Sequence, residues 1–263
     1  MITWIASYPK SGNTWVRSFL TNYFSNEDNF SFEQLKKIDK FPRKELFKQL
    51  SINPDNFKSI AANWIAMQDF INLKNDNIYL KTHNAMVTLN NSFKFTDNDN
   101  TKGFIYLVRD PRDVIISYSS HLNISLEKTL DVMIGDMSFS GKDVLLGSWS
   151  SHYNSWKNSN FKKIIIKYED LANNPNQNFH KIINFLNEIN NLTINKEKIN
   201  KSILNTNFTK LKELEDKYGF VEKGKNDFFR KGKVGEWKKI LDKKIISKIE
   251  GSFSEEMAEL KYL

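Results

Sequence analysis

The sequence predicts an α/β protein, a central parallel sheet with helices on both faces, as a single domain over residues 1–263. Three observations predict it. Short apolar, β-prone runs alternate with stretches of helical periodicity, the order that builds β–α–β units. The run Phe104–Val108 is apolar without interruption, as a strand buried on both faces requires. Lys10, His83, Arg109 and Tyr168 each follow a different candidate strand, and ligands of such sheets bind beyond the carboxyl ends of the strands.

Ile2–Ser7 reads as a strand, and Pro9 and Gly12 turn the chain into a helix over 13–24 with Trp15, Phe19, Leu20 and Phe24 near one face. Residues 25–60 are polar, with short helices expected at 32–39 and 43–50. Ile60–Leu73 has a helical pattern, and Asn77–Lys81 is a strand running into Thr82 and His83. Asn and Asp clusters make 90–102 a loop. Phe104–Val108 ends at Arg109, Asp110 and Pro111, where Asp110 suits an N-cap and Pro111 a first helical position. A helix follows through Ser117 and Tyr118, and another is expected over 143–157. Ile164–Lys167 is a buried strand leading to Tyr168. Beyond 175 the pattern is helical, interrupted by a loop at 218–236.

Composition narrows the chemistry. The 263 residues contain no cysteine, which excludes disulfides, thiolate metal sites and thiol catalysis. It also fits a reducing cytosol, and a cytoplasmic location is expected. The first ten residues lack a charged region followed by an apolar stretch, so no signal peptide is expected, nor is a membrane span. The net charge of +8 favours an anionic partner. The lysines are scattered rather than striped, so nucleic acid is not that partner. Only five residues are arginine, against thirty-four lysines: Arg17, Arg43, Arg109, Arg112 and Arg230. The planar arginine fork suits phosphate and sulfate. Arg109 and Arg230 are the anion-binding candidates; Arg112 and Arg17 are read as structural or rim positions, Arg17 facing away from the loop that precedes it.

The segment Tyr8–Trp15 puts a strand, a short glycine-containing loop and a helix start in succession. Backbone N–H groups and the helix dipole there converge on an anion. Lys10 adds a point charge, and Ser11 and Thr14 add hydroxyl donors, with Gly12 and Asn13 between them. A Walker A loop needs lysine directly after its second glycine, whereas Lys10 precedes the only glycine, so this is a phosphate loop of another kind. Lys81 and His83 are two apart, on one face of a strand end, roughly 6–7 Å from each other. A neutral imidazole suits removal of a hydroxyl proton. His121, His152 and His180 sit in helical contexts and are read as structural.

Together these segments resemble the PAPS-dependent sulfotransferases (PAPS is 3′-phosphoadenylyl sulfate). Tyr8–Trp15 is similar to the 5′-phosphosulfate loop of that family, and Tyr106–Val114 through Ser117 to its 3′-phosphate strand and helix. Lys81–His83 resembles the segment carrying its catalytic histidine, and Arg230–Lys238 its C-terminal nucleotide loop, with Glu236 where aspartate is commoner. Gly147–Trp149, Tyr168–Asp170 and Thr206–Phe208 are weaker matches. The resemblance implies a P-loop-like three-layer fold and sulfuryl transfer from PAPS to a hydroxyl, less often an amine, of a small-molecule acceptor, with release of 3′,5′-adenosine diphosphate. It implies His83 as general base, Lys10 on the bridging oxygen, Lys81 beside the sulfuryl oxygens, and Ser117 on the 3′-phosphate and able to hold Lys10 back. Arg109, Arg230, Lys231 and Gly232 would close on the 3′-phosphate. Trp15 and Phe208 would sandwich the adenine, with Tyr168 and Thr206 at its edge; Phe208 is otherwise a core residue. No metal is required by such chemistry.

The acceptor pocket is expected from 25–75, 84–90, 122–145 and 209–228, where Trp64, Met67, Phe70, Met86, Met133, Met137 and Phe139 are either pocket or core. Monomer and homodimer both stay open, since the family's dimer motif has no clear counterpart in 238–250. The rival reading is a P-loop-like kinase, with Phe104–Asp110 as a Walker B strand; magnesium dependence separates the two.

Overall fold

Side chains alternate across the sheet with period two, and each set meets its own layer of helices. In the computed structural model, which describes residues 1–73, 76–141 and 143–263, four parallel strands stand in the order β2–β1–β3–β4. They are β1 (Ile2–Ser7), β2 (Ile78–Thr82), β3 (Thr101–Val108) and β4 (Lys163–Lys167). Trp4 and Ala6 of β1, with Phe104, Tyr106 and Val108 of β3, face a core completed by Val114, Trp149, Trp156, Ile249 and Phe253. Ile5, Ile105, Leu107 and Ile166 face the opposite core, with Val16, Phe19, Phe179, Ile182 and Leu186. Helices α1 (Asn13–Phe24) and Pro175–Asn190 thus cover one face, and α2 (Pro111–Leu122) and Trp149–Lys157 the other. This is the α/β architecture with a parallel sheet that the sequence predicted.

The central strands β1 and β3 are buried along their length because each is paired on both edges and covered on both faces. Burying a large aromatic or aliphatic side chain contributes about 1.5–3 kcal/mol, so these strands hold the sheet rigidly behind its carboxyl edge. On the β2 side, Lys81 N–H donates to Asp39 O and Phe41 N–H to Lys81 O, both at 2.8 Å, fixing the strand end that carries Lys81.

Some elements differ from expectation. The Ile60–Leu73 pattern forms two helices, Phe57–Ala62 and Trp64–Asn72, because Asn63 between them leaves the helical backbone region. The helix expected over 143–157 begins at Trp149, where the Ser148 hydroxyl caps it by accepting from Ser151 N–H. Val144 and Leu145 instead pair with Phe139 and Ser140 in a two-stranded ribbon. β3 begins three residues before the apolar run, at Thr101. The stretch 32–39 is a 3₁₀ turn over Phe32–Lys37.

Candidate active site

Because the sheet is parallel, the carboxyl ends of all four strands meet at one edge. Lys10, His83, Arg109 and Tyr168 line a single cavity there of about 430 Å³. Gly12, Asn13, Thr14, Trp15, Lys81, Ser117, Phe208, Arg230, Lys231 and Gly232 line it too. Ser11 is buried in the same loop without lining the cavity. Thr206 lies outside: it is fully buried at a helix end, its hydroxyl donating to Ser202 O at 2.7 Å.

The loop after β1 needs a left-handed backbone at Lys10 (φ 65°) and Gly12 (φ 97°). At Gly12 glycine is required twice over, since a Cβ there would lie 2.7 Å from the Tyr168 ring. Tyr168 in turn meets Trp15 edge to face, with 6.1 Å between centroids, and carries the Arg109 guanidinium over its ring, 4.2 Å from the ring centre. Gly232 (φ 62°) lies directly against the Phe208 ring, where a Cβ would overlap it.

The C-terminal loop is clamped across this edge. Asp113 accepts from Gly235 N–H at 2.6 Å and Trp237 N–H at 3.0 Å. Arg109 donates to Lys233 O at 3.0 Å and Lys10 O at 3.3 Å, and Tyr168 O–H donates to Gly232 O at 3.2 Å. Glu236 pairs with Arg230 and, at 2.5 Å, with Lys231. Arg112 is bound to Asp110 and Glu250 and stacks on Trp237, a framework position as its sequence context implied.

The two lysines are electrostatically unusual. Lys10 is brought down to about 7 chiefly by burial, against the opposing pull of Glu222; its Nζ sits 3.6 Å over the Phe228 ring. Lys81 is brought down to about 8, again by burial first and against Glu222. A polyanion would hold both in the charged state. Around them Ser11 Oγ, Asn13 Oδ1, Trp15 Nε1 and Arg109 Nε are buried without a hydrogen-bond partner. Such groups cost about 1–3 kcal/mol each when unsatisfied, so the donors among them suit the oxygens of a phosphorylated nucleotide.

His83 Nδ1 lies 2.7 Å from Ser7 O and 3.2 Å from Ser7 Oγ. A carbonyl oxygen can only accept, so Nδ1 carries the proton and Nε2 keeps its lone pair. Burial, then the charge of Lys81, holds His83 well below its ordinary value, so the imidazole is neutral at pH 7. Its strand end is braced from behind: His152 Nε2–H donates to His83 O at 3.0 Å, and Tyr106 O–H donates to His152 Nδ1 at 2.8 Å.

Sequence reasoning missed several groups here. His121, read as structural, lines the cavity at the end of α2 and is lowered to about 4 by burial and then Lys10. Glu222 and Phe228 line it from the 218–236 loop. Arg17 is buried against Ile38 O and reaches Glu222 at 2.7 Å. Of the side chains left between pocket and core, Trp64, Met67 and Met133 are wholly buried core residues, and Phe70, Met137 and Phe139 are exposed outside the cavity. The apolar lining comes from Phe41, Pro42, Leu122, Val144 and Leu211 instead.

The model of the sulfotransferase domain family matches residues 2–261. The chain belongs to the sulfotransferase family. It is therefore an enzyme of sulfuryl transfer, and the resemblance read from its four motifs is borne out. Sulfotransferase 1 family member D1 of Mus musculus is 29% identical, over 89% of this chain and 76% of that protein. Sulfotransferase 1B1 of Canis lupus familiaris is 28% identical, over 89% and 76%. In three dimensions the chain is similar to mouse sulfotransferase SULT7A1 complexed with PAP, with a TM-score of 0.64, 21% identity, and coverage of 97% of this chain and 84% of that one. A retinol dehydratase in complex with androsterone and PAP gives 0.64, 19%, 97% and 80%. These two likenesses show the fold.

Proposed function

We propose that this sulfotransferase uses PAPS as donor and transfers its sulfuryl group in line to a hydroxyl of a small-molecule acceptor, with His83 as general base. The observation that carries the reading is the His83 tautomer. Nδ1–H is committed to Ser7 O, which leaves the Nε2 lone pair free on a neutral ring that lines the cavity with Lys10, Lys81 and Ser117. A base with that geometry removes a hydroxyl proton as the oxygen attacks; an amine acceptor, once neutral, needs it less.

PAPS supplies the activated sulfuryl group when bound. The chain supplies cations and donors. Lys10, at the loop, would hold charge developing on the bridging oxygen, and Lys81 would face the sulfuryl oxygens. Stabilising such charge in a water-poor site contributes a large share of catalysis. Ser11, Gly12, Asn13 and Thr14 would receive the 5′-phosphate through backbone and hydroxyl donors. Arg109, Ser117, Arg230, Lys231 and Gly232 would take the 3′-phosphate, for which Arg230 and Lys231 must turn from Glu236. Trp15 and Phe208 offer the flat surfaces that an adenine stacks on, with Tyr168 beside them and Thr206 behind, its hydroxyl bonded within its own helix.

The test is incubation with PAPS, without added metal, against a panel of alcohols, phenols and amines. Mass spectrometry should find a product heavier by one SO₃ group together with 3′,5′-adenosine diphosphate, with hydroxyl acceptors ahead of amines. A panel in which only amines are converted would overturn the role of His83 as the hydroxyl base.

A further inference from the structure

A carboxylate of the chain itself sits among the groups assigned to the anionic end of the donor. Glu222 Oε1 accepts from Arg17 Nη1 at 2.7 Å. Its Oε2 accepts from Thr14 Oγ1 at 3.2 Å and from Lys81 Nζ at 3.4 Å. Burial alone would raise its pKa, but Lys81 and then Arg17 outweigh burial and hold it well below the ordinary carboxylate range. Glu222 is thus ionised at any working pH. A carboxylate and a phosphate or sulfate oxygen are the same kind of acceptor to a hydroxyl and an ammonium.

Thr14 has one hydroxyl proton to give, and Lys81 can face only one anion closely without bringing two negative charges together. Glu222 and the phosphosulfate therefore compete for the same two groups. The competition has a benefit in the free protein, because Glu222 is the strongest influence keeping the buried Lys81 charged. The surrounding chain allows an exchange. Glu222 lies in irregular structure between Gly219 and Gly224, and the preceding Val221 is 94% exposed. Beyond it the loop is anchored: Glu215 accepts from Phe228 N–H at 2.7 Å and Phe229 N–H at 2.9 Å, and Phe229 packs with Phe30, Leu35 and Leu211.

We propose that Glu222 is an internal anion standing in the 5′-phosphosulfate subsite, and that donor binding exchanges it for the donor's own anionic end as 221–224 moves outward. This rests on the reading of the cavity as the donor site. Glu222 thereby sets the affinity for the donor rather than taking part in the chemistry.

Calorimetric titration of wild type and Glu222→Gln tests it, with 3′,5′-adenosine diphosphate and, as a ligand lacking the 5′-phosphate, adenosine 3′-monophosphate. At pH 6, below the values of both lysines, removing one like-charge contact should tighten the diphosphate about tenfold or more, and leave the monophosphate unchanged. Diphosphate affinity equal to or weaker than wild type overturns the exchange while leaving the donor site standing. Failure of wild type and variant alike to bind the diphosphate overturns the donor-site reading, and the exchange with it. A second route avoids altering Glu222. The chain has no cysteine, so Val221→Cys can carry a single environment-sensitive dye. Its emission should change on diphosphate addition with the calorimetric midpoint; binding without any change contradicts the movement.

Discussion

Raising the pH from 7 to 8 should weaken the binding of PAPS about tenfold, because binding must recharge two lysines. Burial brings Lys10 to about 7 and Lys81 to about 8. A lowered lysine is charged below its pKa and neutral above it. At pH 7 about half of Lys10 and about a tenth of Lys81 are neutral; at pH 8 the neutral shares are about nine tenths and about half. With Lys10 assigned to the bridging oxygen and Lys81 to the sulfuryl oxygens, PAPS needs both charged, so its apparent affinity follows the fraction of protein in which both are. That fraction falls about tenfold over this unit, and binding at pH 8 should take up about 1.4 protons. The second ionisation of a phosphate lies at about 6, so from pH 7 upward about nine tenths or more of the ligand is already in one charge state. Titration calorimetry from pH 6.5 to 8.5, in two buffers of different ionisation enthalpy, measures affinity and proton uptake together. An affinity that stays flat from pH 7 to 8, with no proton uptake, would refute the reasoning. Lys10→Met should bind more weakly and lose most of the uptake.

Three further outcomes are expected. His83→Ala should lower turnover about 10²–10⁴-fold while diphosphate affinity stays within a few-fold, as the His83 ring is bonded to Ser7 O and its carbonyl to His152; turnover within a few-fold of wild type contradicts the base assignment. In a pH–rate profile the acidic limb should lie well below 6.5, following the lowered His83. Gly232→Ala should weaken the diphosphate about tenfold or more, from about 1–2 kcal/mol of left-handed strain and overlap with Phe208; calorimetry checks this, and an unchanged affinity refutes the close approach. Glu222 has a folded pKa below its unfolded one, so its contribution to stability is full above pH about 4.3 and is lost as pH falls. Melting temperature should therefore drop more steeply between pH 6 and 3 in wild type than in Glu222→Gln, and equal slopes would contradict the buried pairing.

The parts of the fold that were legible have local causes. β1 and α1 lie where the apolar run and the Pro9–Gly12 turn put them, and α2 begins at Pro111 behind its Asp110 cap. Elements decided by a neighbour were less legible. Ser148 starts a helix six residues after the apolar pattern begins, since Val144 and Leu145 are taken by a ribbon partner. The β1–α1 loop, the strand ends and the Arg230 loop converge because a parallel sheet gathers its carboxyl ends. Glu222 had no such signal: it lies in an irregular loop and meets Thr14 across 208 positions of chain. His121 follows a helical pattern that says nothing of the cavity beside it. Thr206 is a motif residue that lies outside the cavity, its hydroxyl spent on its own helix.

A nucleotide with a 3′-phosphate is the ligand proposed for this edge of the sheet. Thermal melting, metal-free, with 3′,5′-adenosine diphosphate beside ATP with magnesium tests that most directly. A ligand at a hundred times its Kd adds about 2.7 kcal/mol, and each kcal/mol is about 2–4 °C for a domain of this size. A rise of at least about 5 °C is expected with the 3′,5′-diphosphate and a smaller one with ATP and magnesium. A rise only with ATP and magnesium would contradict it.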